Sequence, residues 1–556
     1  MDSDPPRLSR VLIGQHLDDQ SHYQERGEVF GEGRVDQSQS YPLGNLENGN
    51  AAVSQSTIAE EHMENREGIV NEHDVEAPLE KARSSRSVKD PDLVTWESSE
   101  DPANPKNWST KRRWGATLVV SSFTFISPVS SSLVAPAIST IAQEFNMTNE
   151  VEQQMVLSVF VLAYAVGPLF LGPLSEIYGR VPVLQLANLF YLVFNTACGA
   201  SKNTSQMIAF RFLSGLGGSA PQAIGGGVIS DCWRPEERGR AISIYSLAPL
   251  LGPAIGPIAG GFITEHTTWR WAFYSVSIAD ALVQISGLFL LQETYPPQIL
   301  HRKAKKLRQE TGRKSLRTEF EHPERSFANT IRRALIRPFR LLGTQPIVQV
   351  LALYMAYIYG LTYLVLSTFP RLWTERYHES IGIGGLNYLS LAIGFFVAAQ
   401  ICGPASDRIY RRLKGRNGDV GKPEFRIPLL LPGSMLIPCG LFLYGWSAQY
   451  QVHWIVPNIG AVIFSGGTII GFQVVQTYIV DAYTTYAASA IGAVTVLRSL
   501  AGFGFPLFAP YMYNALDDGW GNSLLGFLAI GIGLPAPFLL WFYGQKLRER
   551  SPFAAG

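Results

Sequence analysis

Three charged residues stand inside long apolar stretches of the sequence, namely Arg211, Asp280 and Arg498. A charge at membrane depth is costly unless it faces water or a partner, so these are candidate proton-coupling or transport residues. The carboxyl of Asp280 could carry a proton, or it could be a buried acid that pairs with a hydroxyl group. Arg211 could tune that carboxyl or reach the nearer membrane surface, and Arg498 could pair with Asp481 or face a cavity.

Six further charges lie where apolar stretches end, and they form two matching groups. The chain reads GPLSEIYGR after the second stretch and GPASDRIYRR after the eighth. Such a duplication is typical of transporters whose two halves move around a central site. The candidate gate residues at the inner surface are Glu176, Arg180 and Asp231 in the first half, and Asp407, Arg411 and Asp481 in the second.

Specific pairings are expected within these groups. Arg180 is predicted to pair with Asp231, and Arg411 or the neighbouring Arg412 to reach Asp481. These contacts should close the inner side of the molecule and break when it opens.

The remaining gate carboxylates are expected to face helix starts. Glu176 should lie at the positive N-terminus of the eleventh span, near residues 484–486, where a carboxylate is stabilised. Repeat symmetry places Asp407 opposite the start of the fifth span.

The elements that must position these residues are membrane helices. Only 16% of the 556 residues are charged, against about a quarter in soluble proteins. About 20 apolar residues make a spanning helix, and the sequence contains twelve such runs, which predicts an all-α membrane protein. The predicted spans are 114–135, 153–173, 181–200, 206–230, 241–263, 271–292, 347–369, 384–404, 427–447, 454–479, 487–511 and 521–543.

Basic residues give the predicted orientation. With the N-terminus inside, the inner segments hold 31 Lys and Arg residues and the outer loops hold four, so both termini should be cytoplasmic. The sequons at Asn146 and Asn203 then fall in outer loops and are candidate glycosylation sites. We expect a multi-pass protein of the plasma membrane.

Five regions follow from the same charge map. Residues 1–100 should form a disordered cytoplasmic tail, because residues 1–90 hold 18 acids and 9 bases without a helical or strand period. The other predicted regions are a first six-helix bundle (101–292), a basic linker (293–343), a second bundle (344–545) and a short tail (546–556).

Several other functions are excluded or disfavoured. The four cysteines are far apart, with no metal-ligand cluster, so neither a disulfide scaffold nor a metal site is expected. Nucleotide-binding and hydrolase motifs are missing, so no enzyme is predicted. Tyr354 and Tyr357 share one face of the seventh span and could line an aromatic cargo site, or they could be packing residues.

Three motifs resemble those of the major facilitator superfamily, and in particular the fungal twelve-span drug:proton antiporters. GPLSEIYGRVPVL is similar to the signature of the loop between spans 2 and 3, with Glu176 in place of the usual Asp and Ile177 in place of a base. Arg211-Phe-Leu-Ser-Gly215 resembles the arginine motif of span 4. The span 5 stretch resembles the antiporter signature, with Ser243 in place of its leading glycine, and contains Gly252, Pro253, Gly256, Pro257, Gly260 and Gly261.

The resemblance implies a two-bundle transporter that exports hydrophobic small molecules such as drugs, toxins or a secondary metabolite. The proton gradient would supply the energy without a cofactor, Arg211 would face the cavity, and span 5 would be a gate helix. The expected partners are the lipid bilayer, the cargo and protons, with no nucleic acid and no second subunit. Alternatives are a different cargo, such as a polyamine or nutrient, and a membrane sensor that does not transport.

Overall fold

The computed structural model describes residues 90, 92–234, 237–321, 327–484, 486–551 and 553, without the side chains of residues 250 and 327–330. Besides five short 3-10 or π-helical segments, these residues form seventeen α-helices and one two-stranded sheet. In chain order they are β1 (Leu93–Val94), α1 (Thr110–Leu133), α2 (Ile138–Glu144), α3 (Glu150–Tyr178), α4 (Arg180–Gly199), α5 (Thr204–Gly218), α6 (Ala220–Cys232), α7 (Arg238–His266), α8 (Trp269–Leu290), α9 (Pro296–Thr311), β2 (Arg317–Thr318), α10 (Phe327–Thr344), α11 (Pro346–Arg371), α12 (Ile381–Leu386), α13 (Tyr388–Arg416), α14 (Leu430–Gln449), α15 (Ile455–Ala482), α16 (Ala487–Leu528) and α17 (Pro535–Glu549).

Long apolar helices dominate the described residues. Nine helical stretches could each cross a membrane, or ten if the bent helix α7 is included. The predicted fourth span is missing from that count because it is divided at Ser219 into α5 and α6. The stretch Ala487–Glu549 counts once although it holds two predicted spans. The predicted all-α membrane fold is confirmed, and twelve spans fit these helices.

The chain turns within α16. Asp517 has non-helical backbone, with φ 51° and ψ −176°. The Tyr513 hydroxyl donates to Asn522 Oδ1 over 3.1 Å, although nine residues of straight helix would separate them by about 13.5 Å along the axis. Asp517 therefore separates the predicted eleventh and twelfth spans.

Side-chain caps explain where several helices begin. Asn149 accepts a hydrogen bond from the backbone N–H of Val151 at the start of α3, and Asn203 does the same for Gln206 at the start of α5. These caps satisfy backbone donors that have no partner within the first helical turn. Between α3 and α4, Gly179 has φ 106°, a conformation that favours glycine over any other residue.

The spanning helices form two bundles, α1–α8 and α11–α17. Within them, α1 packs along α7 and α14 packs along α15. Apolar side chains on the outer faces of α4 and α8 are exposed, as expected for surfaces that face lipid. They include Leu186, Phe190, Leu282, Leu288 and Phe289.

The linker between the bundles contains α9, β2 and α10. Strand β1, which precedes the first span, pairs in parallel with β2, with Leu93 opposite Arg317 and Val94 opposite Thr318. The prediction that the whole of residues 1–100 is a disordered tail is therefore wrong for residues 92–100, which fold against the linker. Residues 1–89 lie outside the described residues.

Candidate functional site

A cavity of about 2230 Å³ lies between the two bundles. Its walls come from α1, α3 and α7 on one side and from α11, α13, α15 and α16 on the other. It reaches the end of the molecule where the linker lies, and Tyr295, His301 and Arg317 line it there. We call this the linker end and the opposite side the far end.

Hydrogen bonds between the bundles bound the cavity away from the linker. At the far end, Glu265 of α7 accepts from the backbone N–H of Gly382 (2.5 Å) and from the Ser380 hydroxyl (3.0 Å). Asn514 of α16 donates to both carboxylate oxygens of Glu150, over 3.2 and 3.1 Å. These contacts hold the two bundles together on the side opposite the linker.

Aromatic residues line the cavity, but they are not the tyrosines that the sequence suggested. Tyr354 is 1% exposed and shares a 2.9 Å hydrogen bond with Ser434 inside the second bundle, and Tyr357 is also buried outside the cavity lining. Tyr359 and Tyr363 line it instead. Helical geometry accounts for the difference: Tyr354 and Tyr357 share one face, and the four-residue spacing of Tyr359 and Tyr363 defines another.

Arg498 lies in the cavity wall rather than beside Asp481. Its guanidinium carbon is 5.0 Å from the ring centre of Tyr359 and 5.2 Å from that of Phe472. Asp481 pairs with a different residue, Arg426. Of the two predicted positions for Arg498, the structure shows the one that faces the cavity.

Arg211 is fully buried within the first bundle and is not part of the cavity lining. Its guanidinium donates to three main-chain oxygens, those of Val156 (3.0 Å), Ser130 (2.9 Å) and Ser131 (3.0 Å). It also lies 4.5 Å from the ring centre of Phe160. The expectation that Arg211 faces the cavity is therefore wrong in this conformation, because backbone carbonyls of α1 and α3 satisfy it.

Asp280 is fully buried between α4 and α8. Asn188 Nδ2 donates to both carboxylate oxygens, over 3.1 and 3.0 Å, and is also 2.8 Å from Gln284 Oε1. Asp280 is paired with an amide rather than with the predicted hydroxyl or with Arg211. It lies outside the cavity lining.

A layer of polar side chains connects this interior to the cavity. Asn195 accepts from the Ser130 hydroxyl (2.9 Å) and donates to Ser277, one helical turn before Asp280. The neighbouring Ser131 is 3.2 Å from the hydroxyl of the cavity residue Tyr363. Arg211 binds the carbonyls of the same two serines, so the layer extends from α8 to the second bundle.

The predicted pair of Arg180 and Asp231 is present at the linker end, with 3.4 Å between Nε and Oδ2. Arg180 also donates to Ser175 over 2.8 Å. Sequence reasoning missed Glu293, which accepts from the backbone N–H of Arg180 at 2.9 Å and covers the start of α4. Its position directly after the sixth span was the available signal.

The second bundle repeats this arrangement with Arg426, which replaces the predicted Arg411 or Arg412. Arg426 pairs with Asp481 (3.1 Å) and Asp407 (2.7 Å) and is 3.3 Å from Ser406. Helix α13 continues to Arg416, so Arg411 remains on that helix, and within the described part of the chain it donates only to the backbone of Asp407. The prediction that Arg411 reaches Asp481 is therefore wrong, and the expectation that Asp407 faces the start of span 5 stays a prediction.

The Arg180 cluster lies entirely within the first bundle, and the Arg426 cluster lies entirely within the second. The sequence had suggested that these pairs close the inner side of the molecule and break when it opens. Because neither cluster joins the two bundles, these pairs cannot alone form such a latch. Glu176 is exposed and lines the cavity at the linker end. Its predicted contact with the start of span 11 is not formed among the described residues, and position 485 lies outside them.

The glycines of the antiporter-like stretch bring helices close together. A Cβ atom at Gly252, Gly256 or Gly260 would lie 2.6 Å or less from atoms of α1, and at Gly260 only 2.1 Å from the Leu133 carbonyl oxygen. At Gly261 it would lie 2.8 Å from the carbonyl oxygen of Ile381 in the second bundle. The prolines Pro253 and Pro257 also lie within α7, and Pro253 lines the cavity. The helix bends by 40° before them, between Pro249 and Leu251. Helix α7 therefore packs tightly against α1 and meets the second bundle at the far end.

Comparison with known proteins identifies this arrangement. The family model described as Major Facilitator Superfamily matches residues 120–506. The chain belongs to the major facilitator superfamily. It is a membrane transporter of small molecules, and this membership agrees with the prediction that it is not an enzyme.

Similar proteins include fungal efflux pumps. The chain is 52% identical over 505 residues to the efflux pump vrtL of Penicillium aethiopicum, covering 90% of this chain and 100% of the relative. It is 43% identical over 469 residues to the efflux pump radE of Floropilus chiversii, with 84% and 86% covered. The solved xylose transporter XylE from E. coli has the same fold, with a TM-score of 0.57 at 15% identity, covering 78% of this chain and 98% of that one.

The two sequons lie in exposed loops. Asn146 follows α2 with φ 54°, and Asn203 begins α5. Both are on the far side of the first bundle, away from the linker, a position that is compatible with glycosylation. Glycosylation at these positions stays a prediction. No group of three or more His, Cys, Asp or Glu side chains is placed to hold a metal within the described ranges.

Proposed function

We propose that this transporter exports hydrophobic small molecules in exchange for protons. The observation that carries the proposal is the large cavity between the bundles, lined mostly by aromatic and aliphatic side chains and joined to the linker end. The linker end holds the basic segments that are expected to face the cytoplasm. Cargo would therefore enter from the cytoplasm, consistent with relatives that are named efflux pumps.

Asp280 is the proposed proton carrier. It is the only carboxyl inside any of the twelve predicted spans. An amide binds it and no cation pairs with it in the described residues, so gain or loss of a proton would change the hydrogen bonds between α4 and α8. The polar layer through Ser277, Asn195 and Ser131 would transmit that change to the cavity.

Polyamine transport is a weaker candidate. A polycation would require several carboxylates at the depth where cargo binds. Of the cavity-lining residues that the structure describes, the acidic ones are Glu176, Glu321 and Asp407, and all three lie at the linker end.

The export proposal also includes the location and the working unit. We propose that the transporter acts in the plasma membrane as a monomer.

Inside-out vesicles that contain the full chain test the coupling. With an acidic interior, the vesicles should accumulate the neutral dye Nile red, and a protonophore should abolish accumulation. Asp280→Asn should lose the response to the pH gradient, since the amide cannot carry the proton. Ser286→Ala is the control, because Ser286 is in the same helix and its hydroxyl bonds, as far as the structure describes the chain, only to the carbonyl of Val283.

Two results would contradict the proposal. Accumulation that persists with the protonophore but requires ATP would exclude proton exchange. Normal gradient-driven accumulation in Asp280→Asn would exclude Asp280 as the carrier.

A further inference from the structure

Arg498 is a cation in the cavity wall that pairs with no carboxylate among the described residues. In the part of the chain that the structure describes, it makes no hydrogen bond or ion pair, and its Nε atom is buried without an acceptor. The rings of Tyr359 and Phe472 lie within the distance of cation–π contacts, at 5.0 and 5.2 Å. The rings attract the positive charge, and the N–H groups of Arg498 are left to bind an acceptor.

The other intramembrane arginine shows what a satisfied guanidinium looks like in this protein. Arg211 has three main-chain oxygens within 3.0 Å. Arg498 is only half-buried, but its Nε atom is buried and has no such acceptor in the described residues, which is costly for a polar group at membrane depth. The difference indicates that the acceptor for Arg498 arrives with a ligand.

The charges along the cavity favour a negative ligand. The three lining carboxylates lie at the linker end, where Asp407 is paired with Arg426 and Glu321 with Arg308. Seven arginines line the same cavity in the described residues, and three of them, Arg180, Arg317 and Arg426, are paired with carboxylates. The lining arginines still outnumber the lining carboxylates, and a surface with an excess of one sign of charge attracts the opposite ion. The seven arginines are Arg180, Arg238, Arg317, Arg333, Arg337, Arg426 and Arg498.

We propose that the cargo is an aromatic organic anion whose carboxylate or ionised phenol binds Arg498. The planar guanidinium donates two parallel hydrogen bonds to such a group. The aromatic body of the cargo packs against Tyr359 and Phe472, which flank Arg498, and against Tyr363, whose ring centre is 5.0 Å from that of Tyr359. This assignment deepens the proposed export function and rests on it.

Three naphthalene probes of nearly equal size separate charge from hydrophobicity. They are 1-naphthoate, which is an anion at pH 7, the neutral 1-naphthamide, and the cation 1-naphthylmethylammonium. Binding to the purified full-length transporter in nanodiscs is measured by calorimetry. We expect 1-naphthoate to bind at least about tenfold more tightly than the other two, a typical contribution of one charged hydrogen-bonded pair.

Variants then assign the preference to one side chain. Arg498→Gln should bind 1-naphthoate and 1-naphthamide equally, with unchanged affinity for the amide. Arg498→Lys should keep part of the preference, because it retains the charge but not the planar donor geometry. Arg411→Gln is the control, since Arg411 is exposed and outside the cavity lining. A thermal melt of each variant checks that the protein is folded.

Equal affinity of the unaltered transporter for all three probes, or no binding of 1-naphthoate, would overturn the anion assignment. A preference that survives in folded Arg498→Gln would place the anion site elsewhere. Gradient-driven accumulation of Nile red is measured in parallel. If it persists while the anion preference is missing, the export function stands and only the assignment of cargo class fails.

Discussion

Arg211 donates hydrogen bonds to carbonyls of both α1 and α3, so its side chain joins two helices of the first bundle. Arg211→Ala would remove three buried hydrogen bonds that join these helices. We expect this variant to lose roughly 2–5 kcal/mol of stability and to transport every cargo poorly. Arg211→Lys should be intermediate, since one ammonium group cannot match the three-way geometry. Thermal melting in detergent measures the effect, and a melting temperature unchanged in Arg211→Ala would contradict it.

Arg426 offers a second test at the residue scale. Its side chain is 17% exposed and contacts Asp407 and Asp481, so Arg426→Ala should cost about 1–2 kcal/mol, somewhat more than an exposed ion pair. Arg180→Ala should cost a similar amount, because Arg180 makes the equivalent contacts in the first bundle. Arg411→Ala is the matched control and should be nearly neutral. If Arg411→Ala has the larger effect in melting experiments, the assignment of the repeat is wrong.

The sequence predicted contacts that follow from the order of the spans, and it missed contacts that depend on how far a helix continues beyond its span. Arg180 begins one span and Asp231 ends the next, so their proximity follows from the order of spans. Arg426 was missed because the motif after span 8 suggests a short loop like that after span 2, whereas α13 continues to Arg416. The surroundings of Asp280 could not be derived either, because its partner Asn188 lies in a different span.

At the scale of one element, α7 depends on three glycines spaced four residues apart. Small residues allow close approach of helices in membranes, and a methyl group at Gly260 would overlap the carbonyl of Leu133. Gly260→Ala should therefore separate α7 from α1, cost about 1–3 kcal/mol and reduce transport.

Gly239→Ala is the control within the same helix, because no described atom beyond its chain neighbours and its own helical backbone lies within 4 Å of the added methyl group. Melting temperature and dye accumulation measure both variants. Equal behaviour of the two would mean that α7 can shift without loss, and that close packing against α1 is not required.

Hydropathy predicted the spanning elements well, since each of the twelve long apolar runs is helical in the structure. It did not predict the break at Ser219, but it did predict the interruption between the eleventh and twelfth spans, where Asp517 lies. Apolar content measures preference for the bilayer, and it does not report local backbone direction. Helix α10 was foreseen only as part of the basic linker, and strand β1 was assigned to the tail.

At the scale of the whole molecule, charged contacts attach the segment before α1 to the linker. Lys303 of α9 pairs with Glu97 (3.0 Å) and Asp101 (3.6 Å), and Arg313 pairs with Asp92 (2.6 Å). A hydrogen bond from the backbone N–H of Glu97 is the main cause that lowers the pKa of Asp101 below its usual value, so this carboxylate is charged at neutral pH. The segment and the linker are thereby held together at the linker end of the cavity.

The far end must open if the cavity is to release cargo there, and the contacts of Glu265 must then break. Glu265→Ala removes the acceptor for Ser380 and for the backbone of Gly382. Because Glu265 is exposed, we expect a loss of only about 1 kcal/mol, which shifts the balance toward the far-open state about fivefold.

Cysteine labelling measures this shift. Ser131→Cys, in a background with the exposed Cys439 changed to Ser, places a thiol beside Tyr363 in the contact between the bundles. A membrane-impermeant maleimide added from the far side should label it faster when Glu265→Ala is present. Glu375→Ala is the control, since Glu375 pairs with Arg371 on the same helical segment and does not join the bundles. Unchanged labelling in Glu265→Ala, or an equal increase in Glu375→Ala, would show that the Glu265 contacts do not hold the far end closed.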